Sequence, residues 1–261
     1  VSQMPPYEEP KRGYTNLWNA AAIIPAHKAA AITIAKKIRS EPWATAFKQV
    51  EVATGVPDFL VGCWLERESS LDLETYLGNG EKLNKVTDLV PAGRGPWTGP
   101  NAFLNGTIDA IKHEGLFGLK NWYLPFMLFA SEKLNGFGYY GHNVNDPYVW
   151  SWTNLYTKGK FTSDGHFDPN FVDPQPGVAA LLKALAEVDS TVAARLVMDP
   201  SATAAPGAVS TATPRFWCPS ATVNSTSHRR RMPRPTGTRP TPRIRRSTSI
   251  QRPRPPRTTG V

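Results

Sequence analysis

The chain has 261 residues, 40% of them hydrophobic and 25 of them proline, so it holds one large domain or two small ones and is proline-rich for a compact globule. Its formal charge of +9 is unevenly spread: residues 1–200 carry 18 Lys and Arg against 21 Asp and Glu, while residues 201–261 carry 12 Arg, no Lys and no acid. The basicity therefore belongs to a tail, and the body is a near-neutral domain long enough to bury a proper core.

Residues 1–14 are polar and proline-bearing and predict an extended arm without the layout of a secretory signal. Leu17–Ile24 and His27–Arg39 predict two short helices separated by Pro25. The alanine-rich run between them is broken by Pro25, His27 and Lys28, so no membrane span is expected. Glu41–Ala53 predicts a third helix with Trp43, Phe47 and Val50 on one side. Thr54-Gly55-Val56-Pro57 ends it and places Pro57 early in the next. That next helix carries the apolar run Phe59–Leu65 and closes on Glu66-Arg67-Glu68-Ser69-Ser70. Cys63 within it is expected to be a buried free thiol, and with Cys218 the only other cysteine no disulfide framework is indicated.

From Asp72 to Pro100 the helical period disappears, and Gly and Pro punctuate short segments that predict an irregular lobe with a small hairpin. Thr107–His113 and Asn121–Leu134 predict helices, the second with Pro125 in its first turn. Residues 141–176 predict a long aromatic loop in which Asp164–Asp168 is a turn, and Pro176–Leu196 predicts the final helical stretch. The body thus spans 15–200. After Pro200 the chain is rich in Ser, Thr, Pro and Arg and predicts a disordered tail, either a non-native reading of GC-rich DNA or a cationic arm for anionic polymers. No internal repeat is found.

Leu60, Trp64 and Glu68 recur at a spacing of four and line up on one helix face. A carboxyl group at the C-terminal end of an apolar face is disfavoured as an anion by burial and by the helix dipole. Both effects raise its pKa, as a general acid near neutral pH requires. Ordinary solvation of a charged residue is the alternative.

Five ordered blocks sharpen this reading. They are Glu68-Ser69-Ser70, Leu77-Gly78-Asn79-Gly80-Glu81, Leu89–Trp97, Leu134-Asn135-Gly136-Phe137-Gly138-Tyr139 and Asn145–Ser151. In this order, over roughly residues 40–185, the string resembles the lysozyme-like muramidases of phages and proteobacteria, within the lysozyme and lytic transglycosylase superfamily. The resemblance implies a mostly α, α+β lysozyme-like fold with a cleft between a helical domain and a small irregular or β lobe. It implies Glu68 as the catalytic acid, supported by Ser69, with Asn135, Gly136 and Tyr139 lining the saccharide cleft. Tyr140, Asn79 and Trp150 are further candidates for substrate contact. One departure stands out: where such relatives read Trp-Ser-Gly-Thr-Asn-His-Tyr, this chain reads Trp150-Ser151-Trp152-Thr153-Asn154-Leu155-Tyr156.

Glycosidic cleavage ordinarily uses a second carboxylate. Asp72, Glu81 and Asp88 in the lobe are the candidates, each also readable as a plain surface acid. A transglycosylase needs none, because the muramic 6-hydroxyl attacks within the substrate. The implied activity is cleavage of the β-1,4 bond between N-acetylmuramic acid and N-acetylglucosamine, by a monomer acting on peptidoglycan strands in the periplasm or outside the cell. Without a signal, a holin-like pore, lysis or a dedicated secretion system is the expected release route. Alternatives are a chitinase-like glycosidase, a non-catalytic glycan-binding module, or nucleic-acid binding through the tail. No cofactor is expected. The five His show no metal-ligand spacing, and no phosphate-cradling loop or serine-nucleophile elbow is present.

Overall fold

The computed structural model describes residues 13–163 and 165–198; residues 1–12 of the expected arm and the expected tail at 201–261 lie outside the described residues. The fold is mostly helical. In chain order the helices are α1 (Tyr14–Ala20), α2 (Pro25–Ile38), α3 (Trp43–Thr54), α4 (Asp58–Ser69), α5 (Ala102–His113), α6 (Leu124–Asn135), α7 (Pro147–Trp150), α8 (Val178–Val188) and α9 (Ser190–Arg195), with a 3-10 turn at Gly138–His142. Strands β1 (Lys160–Ser163) and β2 (His166–Asp168) form an antiparallel hairpin that pairs Lys160 with Asp168 and Phe161 with Phe167.

Helix α4 is the axis of the packing. Every residue from Asp58 to Arg67 is buried, as expected of a helix apolar on all sides. It packs against α2, α3 and α8. Gly62 permits the approach: a Cβ there would lie 2.6 Å from Ile38 Cγ2 and 2.9 Å from the Phe47 ring. Each fully buried Phe, Leu or Val of this helix contributes about 1.5–3 kcal/mol. The indole of Trp64 is satisfied, since its Nε1 donates to Ser131 Oγ on α6 at 2.9 Å.

Several boundaries differ from the sequence expectation, each for a local reason. Tyr14 is no part of an arm: it is 1% exposed, opens α1 and donates its hydroxyl to Glu132 Oε2 at 2.5 Å. That helix stops at Ala20 rather than Ile24, because Ile23 bridges to Thr153 and Pro25 is the first residue of α2. Helix α5 starts at Ala102 rather than Thr107, and α6 at Leu124 rather than Asn121. The final stretch is divided at Asp189, whose carboxylate caps α9 by accepting from the Thr191 amide. The segment 141–176 is not all loop, since it holds α7 and the hairpin, and β2 occupies part of the expected turn.

The small hairpin predicted between Asp72 and Pro100 is reduced to one antiparallel bridge between Thr75 and Lys82, flanked by backbone bonds from the Tyr76 amide to Glu81 O and from the Leu83 amide to Glu74 O. Side chains reinforce the rest of the lobe. Thr87 Oγ1 accepts from the Arg94 amide and donates to Pro91 O, and Tyr76 stacks on Trp97 with centroids 4.7 Å apart. Asp109 of α5 anchors the lobe by accepting from Tyr76 and Arg94.

Candidate active site

Glu68 stands in the last turn of α4 and is only partly exposed. Its Oε1 accepts a hydrogen bond from the Tyr148 hydroxyl at 2.9 Å. Burial raises its pKa, and this outweighs the opposing pull of the Tyr148 bond and the Arg67 charge. The carboxyl group therefore keeps its proton to a higher pH than a solvated glutamate. Tyr148 is buried, and desolvation followed by the nearby Glu68 charge pushes its own pKa upward, so it remains a donor.

The end of α4 is clamped by a segment from the far side of the sequence. Arg67 Nη2 binds Asp173 Oδ2 at 2.8 Å, and Gln175 Nε2 donates to Arg67 O at 2.9 Å. The Arg67 guanidinium lies over the Tyr148 ring, 4.9 Å from its centroid. After Glu68 the chain reverses through Ser70 and Leu71, both with positive φ (55° and 66°). On the lobe side Gly80, at φ +74°, touches the acid's backbone, since a Cβ there would sit 2.6 Å from Glu68 O.

The other predicted residues divide sharply. Ser69 Oγ meets Thr75 Oγ1 at 2.6 Å and so ties the helix end to the lobe; no bond joins it to the Glu68 carboxyl. Asp72 accepts from Lys82 Nζ at 2.8 Å and from the Glu74 amide, which lower its pKa. Glu81 accepts from Lys85, Asn79 and the amides of Asp88 and Leu89. Its pKa is lowered, the Lys85 bond foremost, and it serves as the knot of its loop. Asn79 completes that knot by bonding Leu89 O. Asp88 has a largely exposed side chain 3.6 Å from Lys85. None of the three acids bonds to Glu68 or to Tyr148. Trp150 is 1% exposed, which leaves it no face to offer a sugar, whereas Tyr140 is 49% exposed.

Asn135, Gly136 and Tyr139 do come together. With Arg67, Gly138, Lys160 and Phe161 they wall a cavity of about 310 Å³ where the end of α6 meets the hairpin. Tyr139 is held edge-on to Phe161, and its hydroxyl accepts from the Phe161 amide at 3.2 Å. Lys160 binds the other oxygen of Asp173 at 3.0 Å, so one buried carboxylate holds both cations of the wall. Asn135 Nδ2 donates to Asp146 Oδ1 at 2.8 Å, and Asp146 precedes α7, which carries Tyr148. Glu68 does not itself line the cavity; the wall reaches it through Asn135, the Asp146 carboxyl and the backbone amide of Tyr148, whose side chain bonds the acid.

The residues that organise the site but escaped sequence reasoning are Tyr148, Asp146, Asp173 and Gln175. Asp146-Pro147 carries a readable helix-start signal, an acidic cap before a first-turn proline. Nothing local marks Asp173 or Gln175, whose partner Arg67 lies more than a hundred residues away. Among the described residues no cluster of His, Cys, Asp and Glu fit to hold a metal occurs, and no helix is long and apolar enough to cross a membrane. No protein-family model, no curated protein and no solved structure matches this chain.

Proposed function

We propose that this protein is a peptidoglycan-cleaving muramidase in which Glu68 protonates the β-1,4 glycosidic oxygen between N-acetylmuramic acid and N-acetylglucosamine. The observation that carries the reading is a proton-retaining carboxyl group at the end of the central helix, oriented by a buried phenol 2.9 Å away; its chain neighbour Arg67 lines a polar cavity. General acid catalysis asks for such a group: geometry fixed by a hydrogen bond, pKa moved toward the working pH.

Asp72 and Glu81 are each taken up by a lysine and by loop amides, and we favour the one-carboxyl route, which asks nothing of them. In that route the Glu68 proton passes to the leaving oxygen as the C1–O bond breaks. The muramic 6-hydroxyl then bonds to C1 and returns its proton to Glu68, giving a 1,6-anhydro product. Such a protein works on the bacterial wall, in the periplasm or outside the cell, with glycan strands as its partner.

Turbidity clearing of purified peptidoglycan tests the reading. Glu68→Gln is expected to lower the rate by on the order of a hundredfold or more while wall binding persists. Undiminished clearing by that variant sinks the proposal, and wall binding by a wild-type protein that releases no muropeptides identifies a glycan-binding module instead. Mass spectrometry separates the two chemistries, because the anhydro product is lighter by one water. Cleavage of chitin in preference to peptidoglycan supports the chitinase-like alternative.

A further inference from the structure

Asp146 joins two halves of the site that otherwise belong to different elements. Its Oδ1 accepts from Asn135 Nδ2 and from the Tyr148 amide, each at 2.8 Å. Asn135 ends α6 on the cavity wall, and Tyr148 presents its hydroxyl to Glu68. An ordinary helix cap does less. It sits near solvent, and Ser, Asn or Asp serve it about equally well. Asp146 is only 2% exposed, and its Oδ2 is buried with no hydrogen-bond partner among the described residues. Capping a four-residue helix does not call for a carboxyl group placed at such a desolvation cost.

We propose that Asp146 is a positioning residue that fixes the cavity-lining Asn135 and the Tyr148–Glu68 pair in one geometry, so that glycan held at the cavity and the acid are aligned by a single carboxyl group. The groups facing it are Glu132 and Asn135 from α6, Arg67 from α4, Tyr139 from the 3-10 turn, and Tyr148 and Tyr156 along its own segment. Burial first and the Glu132 charge second hold its proton, raising the pKa to about 8. A neutral carboxyl is well imitated by an amide. Serine, by contrast, retains the cap on Tyr148 but is too short to reach Asn135 as well.

This inference rests on the muramidase reading, and its test has one arm that does not. In the full-length protein, Asp146→Ser and Asp146→Asn are compared for muropeptide release and for titration of the Glu68 side chain, followed by carbon-13 NMR, with thermal unfolding as the control for folding. The serine variant is expected to lose on the order of tenfold or more in kcat, and the asparagine variant to recover that loss. Tyr148→Phe is expected to cost much less in the serine background than alone, the non-additivity of residues acting as a unit. Glu68 should titrate at higher pH in the serine variant, because the Tyr148 bond that favours its anion is disturbed, and as in the wild type in the asparagine variant.

A serine variant as active as the wild type, with Glu68 titrating unchanged, overturns the inference and leaves the muramidase reading intact. An asparagine variant as impaired as the serine variant overturns it too. A wild type inert on peptidoglycan, with the Glu68 shift still present in the serine variant, defeats the muramidase reading while the positioning role stands. If the serine variant fails to fold, Asp146→Leu, which keeps the size but has no acceptor, takes its place. A Glu68 titration unchanged in that variant overturns the proposal; a shift there that the asparagine variant lacks upholds it.

Discussion

Replacing Asp146 by Asn keeps the side chain's size and an oxygen for its two donors, and removes one titration from the folded protein. Burial and Glu132 raise the Asp146 pKa from 3.8 to about 8, whereas in the unfolded chain it returns to about 3.9. Between those values the unfolded chain has released a proton that the folded protein keeps. Stability therefore falls as pH rises through this window and levels off above the folded pKa. At about 1.4 kcal/mol per pH unit the full fall is on the order of 5 kcal/mol, an upper limit for a site free to relax. A third of that still moves the midpoint of a domain this size by several degrees. Asp146→Asn has no such proton to lose, so its midpoint should gain on the wild type between about pH 4 and about pH 8.5. Calorimetric melts of both proteins across that range measure the gap. A gap that stays constant refutes the reasoning, since Asp146 would then ionise as readily folded as unfolded.

Other expectations come from the same geometry. Arg67→Met strips Asp173 of its buried partner and leaves Lys160 as its one remaining cation, with the Gln175 amide; a loss of about 3–5 kcal/mol in urea unfolding is expected, and a loss under about 1 kcal/mol contradicts the clamp. Gly80→Ala adds a Cβ 2.6 Å from Glu68 O at a φ of +74°. It should cost about 1–2 kcal/mol and reduce wall clearing as well, and a neutral effect on both argues against the contact. Tyr148→Phe removes the bond that favours the Glu68 anion, so the alkaline limb of wall cleavage should move to higher pH. A limb moving to lower pH would show that the phenol does not bond to the acid.

Glu68 was legible because its signal is local: a carboxyl group on the same helical line as Leu60 and Trp64, at the end of an apolar run. That line suggests burial and a raised pKa while leaving ordinary solvation open, and the structure gives the raised direction. Trp150 shows the limit of such reading, since an aromatic beside polar residues suits a sugar platform and a core equally well, and here it is core. Glu81 looked like a candidate acid only when read singly. Its partners Asn79, Lys85, Asp88 and Leu89 are all within eight residues, so its structural role was available to a reading that counted bonds.

Three residues of the cavity wall, Asn135, Gly136 and Tyr139, were reached through the resemblance, but the rest of the cavity was not legible. It needs Asn135, the hairpin and Asp173 to converge, and convergence between elements leaves no periodicity in the chain. Trp152, the departure from the resembled pattern, sits at φ +63°, a region where Gly is at no disadvantage and a bulky residue is strained. The ring is held by stacking on His27, with centroids 4.7 Å apart, and by its indole bond to Pro174 O at 3.0 Å. A Gly-to-Trp difference in a string cannot announce that it falls on a left-handed residue.

The burial of α4 also bears on how the molecule opens. Amide protons exchange through local openings whose free energy rises with the packing that must be undone. From Asp58 to Arg67 every residue is buried, so the amides of this helix should be among the last to exchange, at a protection near that of global unfolding. In the lobe from Asp72 to Pro100 the exposed stretch around Leu89 and Val90 should exchange early, and the buried turn around Tyr76 later. Glu68 stands where these two regimes meet. The acid is thus anchored on the most protected element of the fold, and its position should survive local opening of the exposed lobe.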